Sequence, residues 1–127
     1  MSRPSALASV DRGSTTLTTV LLTPVFLVIA LVAFQAALWT HARTEARVLA
    51  RNSAALVARS HADAGATEQA TLSMLSSDTD IRDPRVEIVV SGDVVRARIT
   101  GGAPGMIRGT SAHLEVVEAV PREGFRP

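Results

Sequence analysis

The feature that most constrains the fold is a run of 27 residues, 14–40, that carries no charged side chain. As a helix rising ~1.5 Å per residue, the run would reach roughly 40 Å, more than the ~30 Å hydrocarbon core of a bilayer requires. Between residues 20 and 38 it is apolar on every side except at three positions: Thr23, Pro24 and Gln35. A run without a polar face, ending in a Trp39 that suits the headgroup layer, predicts a transmembrane helix.

A cleaved secretory signal is the first alternative for this run. The apolar region of a signal peptide has ~7–15 residues, and no clear small-x-small cleavage site follows Trp39. A buried core helix is the second alternative, and the absence of a polar face argues against it. A membrane span therefore remains the prediction for residues 14–40.

Composition limits what the rest of the chain can be. With 127 residues, there is room for one small domain beyond the membrane segment. The absence of Cys excludes disulfides and thiolate metal sites. A net charge of +1 gives no field that would favour nucleic acid, and we expect no nucleic-acid partner.

Two polar positions inside the apolar run bear on helix packing. Pro24 leaves the carbonyl of Val20 without its helical donor, and the hydroxyls of Thr19 and Thr23 are near enough to compensate. Gln35 either makes a hydrogen bond to another helix, an effect worth roughly 0.6–2 kcal/mol, or lies hydrated near the outer membrane–water interface. Both roles of Gln35 stay open at this point.

The helical pattern continues beyond Trp39 to about Arg59. A stripe of small and aliphatic residues follows three- and four-residue steps: Ala42, Ala46, Leu49, Ser53 and Leu56. Arginines recur every fourth residue on another face, at positions 43, 47 and 51. That face is either solvated, with side chains that snorkel near the headgroups, or a contact for a partner.

A second, short helix is predicted after this one. Asp63 is placed to cap a helix over Ala64–Ser76, with Leu72 and Leu75 as its apolar contacts. The polar run from Ser76 to Asp80 reads as a loop or linker.

From Arg85 the period changes to two, which predicts strands around a Gly92-Asp93 hairpin turn. Folding about this turn places three apolar pairs on one face: Val90 with Val95, Ile88 with Ala97, and Val86 with Ile99. The other face receives Glu87 with Arg98 and Val89 with Arg96. A slip of one residue would destroy this sorting, so the register is well specified.

A third strand is predicted over about 111–119, where Leu114 and Val116 extend the apolar face. The Gly-rich stretch 101–105 is predicted as the connecting loop, and it lacks the Lys-Ser/Thr ending of a phosphate-binding loop. The fold class is therefore α+β: a long N-terminal transmembrane helix extended outside the membrane, a short second helix, and a small antiparallel three-stranded sheet. A sheet this small needs its apolar face covered by one of the helices or by another chain.

The sequence contains no set of residues with the spacing of a known catalytic or metal-binding motif. The three histidines, His41, His61 and His113, stand apart, and no metal-ligand spacing joins them. The acidic cluster Asp78, Asp80 and Asp83 lacks the Gly and distal Glu of a calcium loop. We expect no catalytic residue, no cofactor and no metal site.

The N-terminal half of the chain resembles a known family. The features that carry the resemblance are Arg12-Gly13-Ser14, the aliphatic run with Pro24 eleven residues after Gly13, and the Arg- and Ala-rich continuation of the helix. Together they resemble TadE-like proteins, the membrane-anchored pseudopilins of tight-adherence (Tad/Flp) pilus assembly systems. A small β-rich C-terminal region with Glu115 and Glu118 is also similar. The resemblance spans residues 11–59 well and the sheet only loosely, and its specific feature is the spacing from Gly13-Ser14 to Pro24.

The resemblance implies a processing site and a set of partners. A prepilin-type peptidase would cut between Gly13 and Ser14. The fifth residue after the cut is usually Glu in the family, where it is thought to neutralise a neighbouring subunit's amino terminus. Thr18 stands there in this chain, which fits a capping, initiating or membrane-resident subunit better than a regular filament subunit. The implied partners are other pilins or pseudopilins, the peptidase, pilus platform proteins and the lipid bilayer.

The resemblance also implies a topology in the cytoplasmic membrane. Residues 1–13 form a cytoplasmic leader and 14–40 the single membrane span. Residues 41–80 form the helical extension and linker, and 81–127 the β-rich domain outside the cytoplasm. The count of flanking arginines slightly favours the opposite orientation, and we expect a prepilin-type route to override it.

The expected function is a non-enzymatic assembly subunit of a pilus or secretion machine. The alternative is a signal-anchored extracytoplasmic binding module that is never cleaved. A third possibility, a regulatory or enzyme-associated membrane subunit, would need a polar site that the sequence does not offer.

Overall fold

The structure, a computed structural model, describes residues 5–107 and 109–122. Its elements follow in chain order: α1 (Ser5–Ser60), α2 (Ala64–Asp78), β1 (Arg82–Ser91), β2 (Val94–Ala103) and β3 (Ala112–Pro121). This confirms the predicted α+β class. The first four residues of the predicted leader and the last five residues of the chain lie outside the described residues. The chain divides into two compact units, Met1–Gln35 and Ala36–Pro127.

In the second unit, α1 buries a face of alanines against the small domain. Ala42, Ala46, Ala50 and Ala54 are all buried at four-residue steps, and Val57 and Ala58 continue the face. The predicted stripe was wrong at Leu56, which is 50% exposed, and Leu49 is only partly buried. The buried alanines step by four residues, so their row advances ~40° around the helix at each step. The predicted stripe averaged about 3.5 residues per step and drifts slowly the other way, so the two separate along the helix and Leu56 falls outside the buried face.

The short helix α2 begins at the predicted cap and packs a single row of residues. The carboxylate of Asp63 accepts the backbone N–H of Ala66 at 2.8 Å. The buried row steps by four: Thr67, Thr71 and Leu75. Leu72 was predicted to be an apolar contact, but it is 37% exposed because it follows Thr71 by ~100° around the helix.

Helix α2 also ends later than predicted, at Asp78 rather than Ser76. The hydroxyls of Ser76 and Ser77 donate to the carbonyls of Leu72 and Ser73, one turn back. Polar side chains that suggest a loop are thus accommodated within the last helical turn.

The sheet has the strand order β1-β2-β3, with both pairings antiparallel. The predicted register is confirmed, since all five pairs expected around the Gly92-Asp93 turn are present. Gly92 has the positive φ, 57°, that such a two-residue turn requires. Ile99 pairs with Val116, so β3 extends the apolar face as predicted.

The chain's own helices cover this apolar face. The buried core joins the alanines of α1 and Leu75 of α2 to one row of sheet residues: Ile88, Val95, Ala97, Ile99, Leu114 and Val116. Val90, which was placed on the same face, remains 41% exposed beside the turn. Another chain is therefore not needed to complete this core.

The predicted loop over 101–105 was partly wrong, because β2 continues through Ala103. A Cβ on Gly101 would lie 2.5 Å from Cγ2 of Ile81 and 3.0 Å from the carbonyl oxygen of Arg82. The glycine here permits close packing rather than a turn. Strand β1 also begins earlier than predicted, at Arg82, with a register shift before Arg85.

Candidate membrane-anchor and processing site

The apolar run predicted to span a membrane is not covered by the rest of the described chain. Phe26 and Leu27 are 65% and 67% exposed, and none of the most apolar 18-residue stretch of the helix is buried. Among the described residues, only this helix is long and apolar enough to cross a bilayer. Its lack of cover removes the buried core helix as an alternative. A membrane anchor and a signal sequence both fit an apolar helix near the N-terminus.

Gly13 and Ser14, the residues of the predicted cleavage site, lie inside α1. A Cβ built on Gly13 would meet nothing within 4 Å. The glycine is therefore not required by packing or by backbone conformation within the chain. Since Gly costs about 1 kcal/mol relative to Ala in a helix, it also makes this turn easier to unwind.

Thr18 is the fifth residue after the predicted cut between Gly13 and Ser14. Its hydroxyl donates to the carbonyl of Ser14 at 2.8 Å, one turn upstream. The single hydroxyl hydrogen is thus used within the helix, and the side chain brings no charge to the residue that would become the new amino terminus.

Pro24 lies within α1, which continues on both sides of it. The expected compensation for the Val20 carbonyl was wrong, because the nearby hydroxyls donate elsewhere. Thr19 donates to the carbonyl of Thr15 at 2.9 Å, and Thr23 donates to the carbonyl of Thr19 at 2.6 Å. Neither of these two hydroxyls therefore donates to the carbonyl of Val20.

The three predicted packing residues are not brought together. Thr18, Pro24 and Gln35 follow one another along a single helix, so the first and last are ~26 Å apart along its axis. Pro24 and Gln35 lie about 20° apart around the helix, whereas Thr18 lies on a different side. Gln35 is partly buried.

The arginine face of α1 divides into two environments. Arg43 and Arg51 are exposed, and neither makes an ion pair with the described residues. Arg47 reaches the sheet instead, with its Nε 3.4 Å from Oε1 of Glu118 on β3. This pair joins α1 to β3 within the second unit, and its exposure limits it to under about 1 kcal/mol.

The groups that could do chemistry do not converge. His41 contacts Glu45 one turn away at 3.2 Å, and Nδ1 of His61 lies 3.1 Å from a guanidinium nitrogen of Arg122. His113 is on β3. Over residues 5–107 and 109–122, no group of three His, Cys, Asp or Glu side chains is placed to hold a metal ion.

Comparison of the chain with protein-family models, curated proteins and solved structures finds no match.

Proposed function

We propose that this chain is a non-enzymatic, single-pass pseudopilin-like subunit of a Tad-type pilus or secretion machine. It is anchored in the cytoplasmic membrane with its sheet outside the cytoplasm. The observation that carries the proposal is the division of α1 into two parts. Its first part is apolar and uncovered, whereas its second part supplies the alanine face of a small folded domain.

The uncovered part demands an apolar environment. Leaving a large apolar side chain in water rather than burying it costs about 1.5–3 kcal/mol. More than ten such side chains lie between Leu17 and Phe34, each at least 45% exposed. A bilayer or neighbouring apolar helices would supply the missing contacts, and lateral association of such helices is the proposed mechanism of assembly.

Continuity of α1 supports an anchor rather than a removed secretory signal. The helix runs to Ser60 without interruption, and the residues after Trp39 are helical at the place where a signal peptide would be cut. A cut there would fall about one turn before Ala42 and about two turns before Ala46, which are core residues. The folded domain therefore depends on the same helix that carries the apolar run.

The proposal of a Tad-type machine rests on the resemblance to TadE-like proteins. The Gly13-Ser14 junction and the spacing from Gly13 to Pro24 are the residues that carry it. Since Thr18 offers no carboxylate and its hydroxyl is bonded to Ser14, a capping, initiating or membrane-resident role is favoured over a repeated filament position. Its partners would be other pilins or pseudopilins, platform proteins and the prepilin-type peptidase.

The mature amino terminus tests this proposal. We expect protein isolated from its native host to begin at Ser14, as measured by intact mass. Because the space around Gly13 is open, Gly13→Leu should fold normally and remain uncut. Thr16→Leu, beyond the cut, is the matched control and should still be processed. A terminus at Met1 or Ser2 in the parent protein would favour the uncleaved signal-anchored binding module instead.

A further inference from the structure

A groove of about 450 Å³ lies in the second unit, between α1 and one end of the sheet. Trp39, Arg43 and Arg47 line it from α1, and His113 on β3 is on the opposite wall. Ala103 and Ala112, the last residue of β2 and the first of β3, also line it. We call it the Trp39 groove.

The lining of the Trp39 groove is basic. It contains two arginines and a histidine but no carboxylate. Glu118 pairs with Arg47, whereas Arg43 has no ion pair with the described residues. The indole N–H of Trp39 makes no hydrogen bond to them either. A guanidinium and an indole N–H are thus left as donors for an anion, and Arg favours phosphate oxygens.

The connection at the same end of the sheet carries two exposed apolar residues. The chain from Pro104 to Ser111 connects β2 to β3, and Pro104 lines a small pocket together with Leu38 and Ala42 of α1. Met106 and Ile107 in this loop are 54% and 53% exposed. An apolar pair next to a basic groove is the composition of a surface that meets lipid headgroups.

We propose that the Trp39 groove binds the phosphate of an anionic phospholipid headgroup, with Met106 and Ile107 entering the interfacial layer of the same leaflet. This rests on the proposed membrane anchoring of α1. The uncharged run ends at Thr40, and Arg43 follows Trp39 by ~6 Å along the helix axis, within snorkelling distance of the headgroups. A free phosphate ion would share the groove chemistry but would give no role to the apolar loop.

Trp39 provides a direct reporter, because it is the only Trp in a chain without Tyr. The full chain is reconstituted in bilayers that contain brominated phosphatidylglycerol or brominated phosphatidylcholine, and quenching of Trp39 gives the relative affinity for the two lipids. We expect a preference of about fivefold for the anionic lipid, the effect of one arginine near a charged leaflet. Arg43→Gln should reduce the preference to near one.

Arg51→Gln is the matched control, since Arg51 is exposed on the same helix two turns further on and does not line the groove. It should retain the preference. Equal quenching by both lipids in the parent protein would overturn the proposal, as would an equal loss in the two variants. Competition by inorganic phosphate at matched headgroup concentration would indicate a site for free anions and would also overturn it.

A fluorophore at Ile107→Cys tests the loop separately. It should be quenched by brominated lipid, whereas the same label at Asp93→Cys, at the other end of β2, should not. Equal behaviour of the two labels would overturn the contact of the loop with lipid. If neither lipid quenched Trp39 at all, the proposed membrane anchoring would itself be wrong. Quenching without lipid preference would leave the anchoring intact and remove only the headgroup site.

Discussion

The hydroxyl oxygens of Ser53 and Thr71 lie 2.6 Å apart in the buried contact between α1 and α2. Each hydroxyl also contacts a carbonyl one turn upstream at 2.8 Å, that of Leu49 for Ser53 and that of Thr67 for Thr71. The two hydroxyl groups have two hydrogens for these three contacts, so their hydrogen bonds depend on each other and form one network. This polar pair fixes which faces of the two helices meet.

The first prediction concerns this pair. Ser53→Ala and Thr71→Val should each cost about 1 kcal/mol, because each removes one buried hydrogen bond. The double variant should cost less than the sum, since the shared Ser53–Thr71 contact is lost in each single variant and is lost only once in the double variant. Thermal unfolding of the four proteins in detergent gives the coupling free energy. Strictly additive costs would mean that the two hydroxyls do not interact.

The second prediction concerns the edge of the sheet. The backbone N–H of Ile88 points away from β2 and donates to Oε1 of Glu68 on α2 at 2.6 Å. Glu68→Ala should expose this N–H and cost about 1–3 kcal/mol, whereas Glu68→Gln keeps an acceptor and should cost less. Amide hydrogen exchange at Ile88 should accelerate in the order parent, Gln, Ala. Gln69→Ala, next along the exposed side of α2, is the control and should leave exchange unchanged.

The sheet register could be predicted because a period of two leaves little choice. Sliding β1 by one residue against β2 would put Glu87 where Ile88 is buried. Local sequence also located the cap at Asp63, whose carboxylate accepts a nearby N–H. These features depend on neighbours along the chain or across one turn.

Features that depend on distant contacts were not predictable. The end of β2 at Ala103 depends on Ile81 packing over Gly101, and the Glu68 contact crosses from α2 to β1. The glycine-rich composition suggested a loop where β2 ends, and nothing in the sequence indicated the contact of Glu68 with β1. The Trp39 groove was missed for the same reason, because Trp39 on α1 and His113 on β3 line one groove only in the folded unit.

The third prediction separates two adjacent glycines. A methyl group on Gly101 would be 2.5 Å from a carbon of Ile81, whereas on Gly102 its nearest neighbour would be 3.6 Å away. Gly101→Ala should therefore destabilise the domain by about 1–3 kcal/mol through overpacking. Gly102→Ala should be near neutral. Melting temperatures of the two variants test the difference, and equal temperatures would mean that Ile81 does not pack over β2.

The fourth prediction concerns the covered face of the sheet. Ile88 is 6% exposed and Glu87, its neighbour, is exposed on the opposite face. Ile88→Asp would bury an unpaired charge at a cost of several kcal/mol, more than a small domain can lose. We expect it to lower protein abundance and abolish assembly, whereas Glu87→Arg leaves both near normal. Normal abundance and assembly in both variants would mean that this sheet face is not needed.

The last prediction concerns topology, which the flanking arginines and the family resemblance assign in opposite directions. Asp93 is exposed in the turn between β1 and β2, and the natural chain has no Cys, so Asp93→Cys gives a single reactive thiol. The backbone contact at this position uses the carbonyl of Asp93, which accepts the N–H of Arg122 and survives the substitution. If the sheet is outside the cytoplasm, a membrane-impermeant maleimide should label the thiol at position 93 in intact cells. Where the cells have an outer membrane, it is permeabilised first. A thiol placed before the apolar run, at Ser2→Cys, should be labelled only after lysis in protein that has not been processed. The reverse pattern would mean that the arginine count sets the orientation, and the pilus function would then be wrong.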